Sequence, residues 1–369
     1  MKKVILENKE KKTKINKNTK FFNILSTILI FSGFILLIIF VYFNLWLKLD
    51  FFNQKENNNQ TQEKSTSLEN NCKYRRYLDG VCVNFEKDLN PDLVAVMIEN
   101  HTDARPQSGL DKAQIVYEAP VEANYSRFMA IFLKDDLVEK VGPVRSARPY
   151  YLDWLQEYGK ILYAHVGGSS EALARINSEN IFDMNEFYRG SYFWRSSDRF
   201  APHNAYTSSQ LWQADWDKYA NDAVFSTSSW RFGDVEKCQE NCINNIYISF
   251  LEPSYNVEWK YNTSTEKYLR YQVGQKHLNQ DGTEIFADTI IIQYVNSKVI
   301  DEVGRLDLDT IGSGKVEIYQ KGQKNFGFWK KDNLKSKTRF YNENDKEIIL
   351  NSGKIWLEIV NQNCEVKDY

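Results

Sequence analysis

The sequence lacks most of the patterns by which catalytic sites are read from a chain. It has four histidines, none spaced H-E-x-x-H, so a metallohydrolase helix of that kind is excluded. Neither Ser146 nor Ser169 stands in G-x-S-x-G, which removes the nucleophile elbow. GSGK at 312–315 lacks the first glycine and the closing Ser/Thr of a phosphate loop and is expected to be a turn. A basic excess is missing too. The net charge is −2, and residues 1–20 hold eight lysines against Glu7 and Glu10, so residues 21–369 carry −8. An acidic body repels nucleic acid, and no nucleic-acid partner is expected. The five cysteines offer two close pairs, Cys72/Cys82 and Cys238/Cys242, and leave Cys364 single. In an oxidising space these read as two local disulfides and one thiol. The C-x3-C pair has no second Cys/His half at zinc spacing, so no metal and no cofactor are expected.

Two N-terminal signals are also absent: no A-x-A-like site follows the first apolar run, and no cysteine stands directly after it. What is there is a run over 21–47 without a charged residue. About 20 apolar residues suffice to cross a bilayer as a helix. Tyr42 and Trp46 lie near its far end, at the depth amphipathic rings favour. The lysines precede the run, so the expected topology is a single-pass cell-membrane protein with a cytoplasmic tail (1–20), an uncleaved anchor (21–47) and an extracytoplasmic body.

Residues 48–89 begin rich in Asn, Gln and Glu and are expected to form a flexible stalk carrying the Cys72/Cys82 segment. The remaining length suits two modest domains. Over 90–235, apolar runs of strand length (93–99, 114–118, 127–133, 137–144, 161–166) alternate with helical stretches at 149–160, 171–176 and 207–219. Over 236–369, short strands separated by turn signals suggest antiparallel hairpins. The fold class expected is α+β: an anchor helix, a mixed α/β N-terminal domain and a β-rich antiparallel C-terminal domain.

Polar candidates concentrate in the first domain. They come from loop 99–109 (ENHTDARPQSG), from Glu118, Glu122 and Arg127, from 142–149 (GPVRSARP), and from His165–Ser170 with the turn around His203. Two of these segments pass from strand to helix, where free N–H groups favour anions. Arg145 and Arg148 would add forked donors for carboxylate or phosphate. The alternative is that both arginines pair with Glu118 and Glu122 inside the fold. Glu118 or Glu122 with His165 or His203 could supply an acid and a base.

Several long stretches resemble the YerB-like lipoprotein family, also known as DUF3048. They are VAVMIENHTDARPQSGLDKAQIVYEAPVEANYSRFMAIF, KVGPVRSARPYYLDW, YAHVGGSSEAL, PHNAYTSSQLW and, later, RLDLDTIGSGKVEIYQKG and WKKDNLKSKTRFYNENDKEIILNSGKIWLEIV. The resemblance runs over about residues 90–360. It implies a bacterial, membrane-attached, extracytoplasmic protein in two parts, and supplies no reaction. It also implies a polar set of Asn100, Arg105, Glu118, Glu122, Arg127, Arg145, Arg148, His165, His203 and Asn204, to which Ser169 is added from its helix start. The candidate catalytic residues are therefore Glu118, Glu122, His165 and His203. The candidate binding residues are Asn100, Arg105, Arg127, Arg145, Arg148, Ser169 and Asn204, for an anionic or cell-wall-related ligand; the alternatives are an envelope hydrolase or transferase using the catalytic candidates, and a structural partner of a membrane complex. The absence of a lipid-bearing cysteine departs from the lipoprotein pattern.

Overall fold

The computed structural model describes residues 39, 40, 42, 72–220 and 228–369. The expected anchor, apart from those three positions, and the stalk up to residue 71 lie outside the described residues. Among the described residues no helix is long and apolar enough to cross a membrane. In the first half of the body are strands β1 (Leu93–Glu99), β2 (Ile115–Pro120), β3 (Ser126–Leu133), β4 (Ile161–His165) and β5 (Asp183–Asn185). Helices α1 (Pro149–Leu155), α2 (Ser170–Ser178) and α3 (Ser209–Tyr219) accompany them. The second half supplies β6 (Asn245–Ile248), β7 (Val257–Asn262), β8 (Lys267–Gln272), β9 (Thr289–Val295), β10 (Gly312–Gln320), β11 (Gln323–Lys331), β12 (Arg339–Asn342), β13 (Ile355–Asn361) and β14 (Val366–Asp368).

The halves do not build separate sheets. One ten-stranded sheet runs β12-β11-β10-β9-β13-β2-β3-β1-β4-β5, so strands of the second half continue directly into those of the first. The junction is parallel on both sides of β13, which pairs with β9 and with β2. This corrects the wholly antiparallel arrangement expected of the C-terminal part. The body has few helices and is dominated by its sheets.

Alternation across the pleat explains the layers. Along β1, Val94, Val96 and Ile98 enter one core while Leu93, Ala95 and Met97 enter the other. The first core packs a smaller sheet, containing β8-β7-β6-β14, together with Trp212 and Trp216 of α3. The second packs Tyr151, Leu152 and Trp154 of α1 and Ala172 and Ile176 of α2. In β7 and β8 inward and outward residues alternate, as one-sided strands should. β1, β2, β9 and most of β13 are buried throughout, because both sheet faces are covered.

Two local expectations fail. Residues 137–144 form no strand. Leu137 is exposed, and Val141, Gly142 and Val144 make single bridges to three different segments, at Thr207, Ser108 and Ile98. GSGK at 312–315 is not a turn but the start of β10. Its Gly314 is required by packing: a Cβ there would sit 2.6 Å from Trp329 Nε1 and 2.8 Å from the Tyr294 carbonyl. That indole N–H donates to the same carbonyl at 2.8 Å. Gly314→Ala should therefore cost about 1–3 kcal/mol by overpacking, read as a lower denaturant midpoint. An unchanged midpoint would mean that Trp329 can move aside.

Candidate functional site

The sequence candidates separate into a buried network and an open cleft. The network starts from register: β13 lies beside β2 with Glu358 opposite Glu118. Two acids, each alone in an apolar strand, are thus neighbours in the interior. Arg270 of β8 reaches them from the smaller sheet and bonds Glu118 Oε2 at 2.5 Å, with both side chains wholly buried. Its Nη1 donates to His277 Nδ1 at 2.5 Å, and the other ring nitrogen of His277 bonds Gln107 Oε1 at 2.8 Å. Burial, then the charges of Arg270 and Arg105, push His277 well below its ordinary value, which agrees with a neutral ring accepting at Nδ1. Ser126 Oγ donates to Glu118 Oε1 at 2.6 Å, and Asn100 Nδ2 donates to the same oxygen at 3.2 Å. Trp259 Nε1 donates to Glu358 Oε1 at 2.8 Å. Burial, and secondly the Glu118 carboxylate, push the Glu358 carboxyl well above the usual range, with Arg270 acting the other way. One proton between two carboxyls and one guanidinium is what a low-dielectric interior favours.

The cleft lies at the end of β1, β2 and the loops beyond them. It encloses about 420 Å³ and is lined by Glu99, His101, Glu122, Tyr125, Arg127, Arg145, Arg148, His203 and Tyr255, among others. Arg145 Nε bonds Glu99 Oε1 at 2.8 Å, and Glu99 Oε2 bonds His203 Nδ1 at 2.9 Å. Arg148 pairs with Glu122. Arg127 is only 7% exposed; its Nη1 donates to the Ser146 carbonyl at 2.8 Å, while its Nε has no hydrogen-bond partner. Arg148 Nε is likewise buried and unpartnered. Burial, then the charge of Arg148, lowers the Arg127 guanidinium, with Glu122 opposing. Burial raises the Glu122 carboxyl, but Arg148 and Arg127 outweigh it and hold the group below its ordinary value. Three guanidinium groups thus face two carboxylates, an excess of positive charge in a half-enclosed space.

The structure brings Glu122, Arg127, Arg145, Arg148 and His203 together and places the other candidates elsewhere. Of the internal pairing foreseen for the arginines, Arg148 with Glu122 is present. Arg145 takes Glu99 instead, and Glu118 takes Arg270. Glu118 and Asn100 are interior network members with no solvent exposure, because the smaller sheet covers them. Arg105 donates to the Asn100 and Ser254 carbonyls and lies over the Tyr255 ring. His165 is buried, with Nδ1 2.7 Å from the Gly167 carbonyl and Nε2 2.5 Å from Asp183 Oδ1. Ser169 caps α2 by accepting from the Ala172 N–H. Asn204 donates to the Ser196 carbonyl and accepts from Arg195. Sequence reasoning passed over Glu99 and His101, although Glu99 ends β1 and His101 stands in the polar loop that follows. It also passed over Arg270, His277 and Glu358, whose signal was a lone charge or imidazole in a strand-rich stretch. The two close cysteine pairs are disulfides, and Cys364 is a buried thiol.

Comparison with known proteins matches two segments of the chain to one family. Residues 80–222 match the N-terminal domain, and residues 246–357 the C-terminal domain, of the family described as "Protein of unknown function (DUF3048)". The chain is 32% identical over 272 residues to the Bacillus subtilis (strain 168) protein described as "Putative lipoprotein YerB", covering 72% of this chain and 80% of that one. The crystal structure of YerB from Bacillus subtilis superposes with a TM-score of 0.70 at 30% identity, covering 79% of this chain and 99% of that one. With both domains matched and a relative this similar over most of its length, the chain belongs to the DUF3048 family.

Proposed function

We propose that this is a membrane-anchored, extracytoplasmic envelope protein that binds an anionic, cell-wall-related ligand in the arginine-lined cleft. The observation that carries the reading is Arg127: a guanidinium nine-tenths buried at the cleft with its Nε unpartnered, beside Arg145 and Arg148. An excess of guanidinium charge in a half-enclosed space favours a ligand carboxylate or phosphate, which accepts from forked donors. The envelope location is supported by the basic tail before an apolar run, by the two disulfides, and by the name lipoprotein carried by the Bacillus subtilis relative. Since no cysteine follows the run directly, the anchor proposed is the helix over 21–47 and not a lipid.

Titration calorimetry with inorganic phosphate and with carboxylate-bearing peptidoglycan fragments tests the cleft. Arg145→Ala should weaken binding at least about tenfold, since a hydrogen bond to a charged group contributes about 1.5–3 kcal/mol. No heat with either ligand class, in protein that melts normally, would sink the reading.

A second reading is an envelope hydrolase or transferase, for which one observation speaks: a carboxylate, Glu99, orients the His203 imidazole inside the cleft. Its base would then be His203, not His165, and its acid Glu122, not Glu118. Turnover of the bound fragment, lost in His203→Ala with binding retained, would favour it.

A further inference from the structure

The loop after β1 and the turn carrying His203 meet at the mouth of the cleft. They bring together two imidazoles and a carboxylate that are far apart in sequence. One ligand atom from each of His101, Asp103 and His203 lies within 4.8 Å of the others. Asp103 Oδ2 is 3.7 Å from His101 Nδ1 and 3.9 Å from His203 Nε2. The two rings lie nearly parallel with centroids 4.8 Å apart. We infer that these three residues form a binding site for one divalent transition-metal cation of the zinc class.

Four features carry the inference beyond proximity. First, His203 is oriented as metal ligands are. Its Nδ1 is held by Glu99 Oε2 at 2.9 Å, and Glu99 is itself held by Arg145 at 2.8 Å, so Nε2 is the nitrogen left for a metal. A carboxylate behind a histidine fixes the ring and raises its basicity as a ligand. Second, the reach is right. Metal–ligand bonds of about 2.0–2.2 Å place donors about 3.3–3.5 Å apart in a tetrahedron. The Asp103 distances already approach this, and the widest separation, 4.8 Å, must close by about 1.3–1.5 Å, shared between the two imidazoles. Asp103, with its side chain 69% exposed, is free to follow them. The cost is small: the Asp103 N–H bond to His101 Nδ1 is already 3.2 Å long. Third, Asp103 supplies one carboxylate charge to the dication while Glu99 is already paired with Arg145, so the bound metal would keep net positive charge for an anion in the cleft. Fourth, the donor set selects. Imidazole nitrogens suit zinc, copper, nickel or cobalt and poorly suit magnesium or calcium. Three protein ligands leave a fourth position open to water or to a ligand in the cleft, as in catalytic zinc sites. The sequence hid this site because its histidines are not on one helix or in one motif.

The test uses the untagged full-length chain in detergent, stripped with chelator and titrated with Co²⁺ and then Zn²⁺ in buffer free of phosphate. Expected are one equivalent of Co²⁺ with a visible absorption band of a low-coordinate site, and its displacement by Zn²⁺. Mg²⁺ should displace nothing. His101→Ala and His203→Ala should each weaken Zn²⁺ at least about 100-fold, and Glu99→Gln about 10–100-fold. Absence of the cobalt band in the wild-type chain overturns the inference. So does zinc affinity unchanged in the His101→Ala/His203→Ala double variant. Neither result touches the anion reading, which is measured with phosphate and without metal.

Discussion

Arg270→Ala should destabilise the protein by about 3–5 kcal/mol, the cost of leaving a buried charge without its partner. Equilibrium unfolding in denaturant would show it as a large fall in midpoint. Arg270 and Glu118 are both wholly buried and 2.5 Å apart, so bulk solvent does not replace the lost guanidinium. The same side chain lies over the rings of Phe128, Trp259 and Trp356, at 4.9 Å in the last case. Its removal therefore also opens a cavity among aromatics. The alternative, that the network tolerates a neutral centre, is tested by Arg270→Met with Glu118→Gln. Replacing both charges should recover most of the loss. A loss under about 1 kcal/mol in Arg270→Ala would mean the pair is far less buried than described.

The same network sets a pH dependence. Glu358 has its carboxyl raised in the fold by burial and by Glu118, so the folded state holds a proton that the unfolded chain has released. Stability must then fall as pH rises from the ordinary carboxyl range, about 4.3, through the raised value. Glu358→Gln keeps a neutral acceptor for Trp259 Nε1 and removes the titration. It should match the wild type at the acid end and become relatively more stable above it. A parallel pH–stability curve for both proteins would reject a protonated Glu358.

Much of this fold was legible in the sequence because it rests on local patterns. KYLRYQ alternates in burial residue by residue, and TIIIQYV, apolar but for Thr289 and Gln293, is buried throughout; both are strands. The joining of the halves was not legible. The β13–β2 pairing links Glu358 to Glu118 across 240 positions, and no local period encodes that. The cleft was partly legible. Arg127, Arg145, Arg148, Glu122 and His203 stand at strand ends and in turns, where side chains reach solvent. Glu118 stands inside an apolar strand and His165 ends one. What the sequence does not show is that the smaller sheet and the loop around Gly167 cover them, which turns candidate acid and base into satisfied interior groups.

A second interior charge cluster predicts an effect of the same size on the opposite face of the large sheet. Glu157, in the turn after α1, accepts from Lys331 Nζ at 2.8 Å and from Thr338 Oγ1 at 2.5 Å, and lies 3.9 Å from Lys337 Nζ. Glu157→Ala leaves two buried lysines without a counter-charge and should also lose about 3–5 kcal/mol. Lys337 supplies the independent check. Burial, opposed by Glu157, pushes its amine down to about 7. Above that value the unfolded chain binds a proton that the folded state does not, so stability should rise with pH until the unfolded amine titrates near about 10.4. Lys337→Met should abolish that rise and be neutral or stabilising near pH 7. A rise that survives in Lys337→Met would assign it to another group. Both clusters join an acid of the first half to bases of the second: Glu118 with Arg270, Glu157 with Lys331 and Lys337. Neither half can bury its charges alone, so residues 72–235 expressed without the rest should remain unfolded by near-UV circular dichroism.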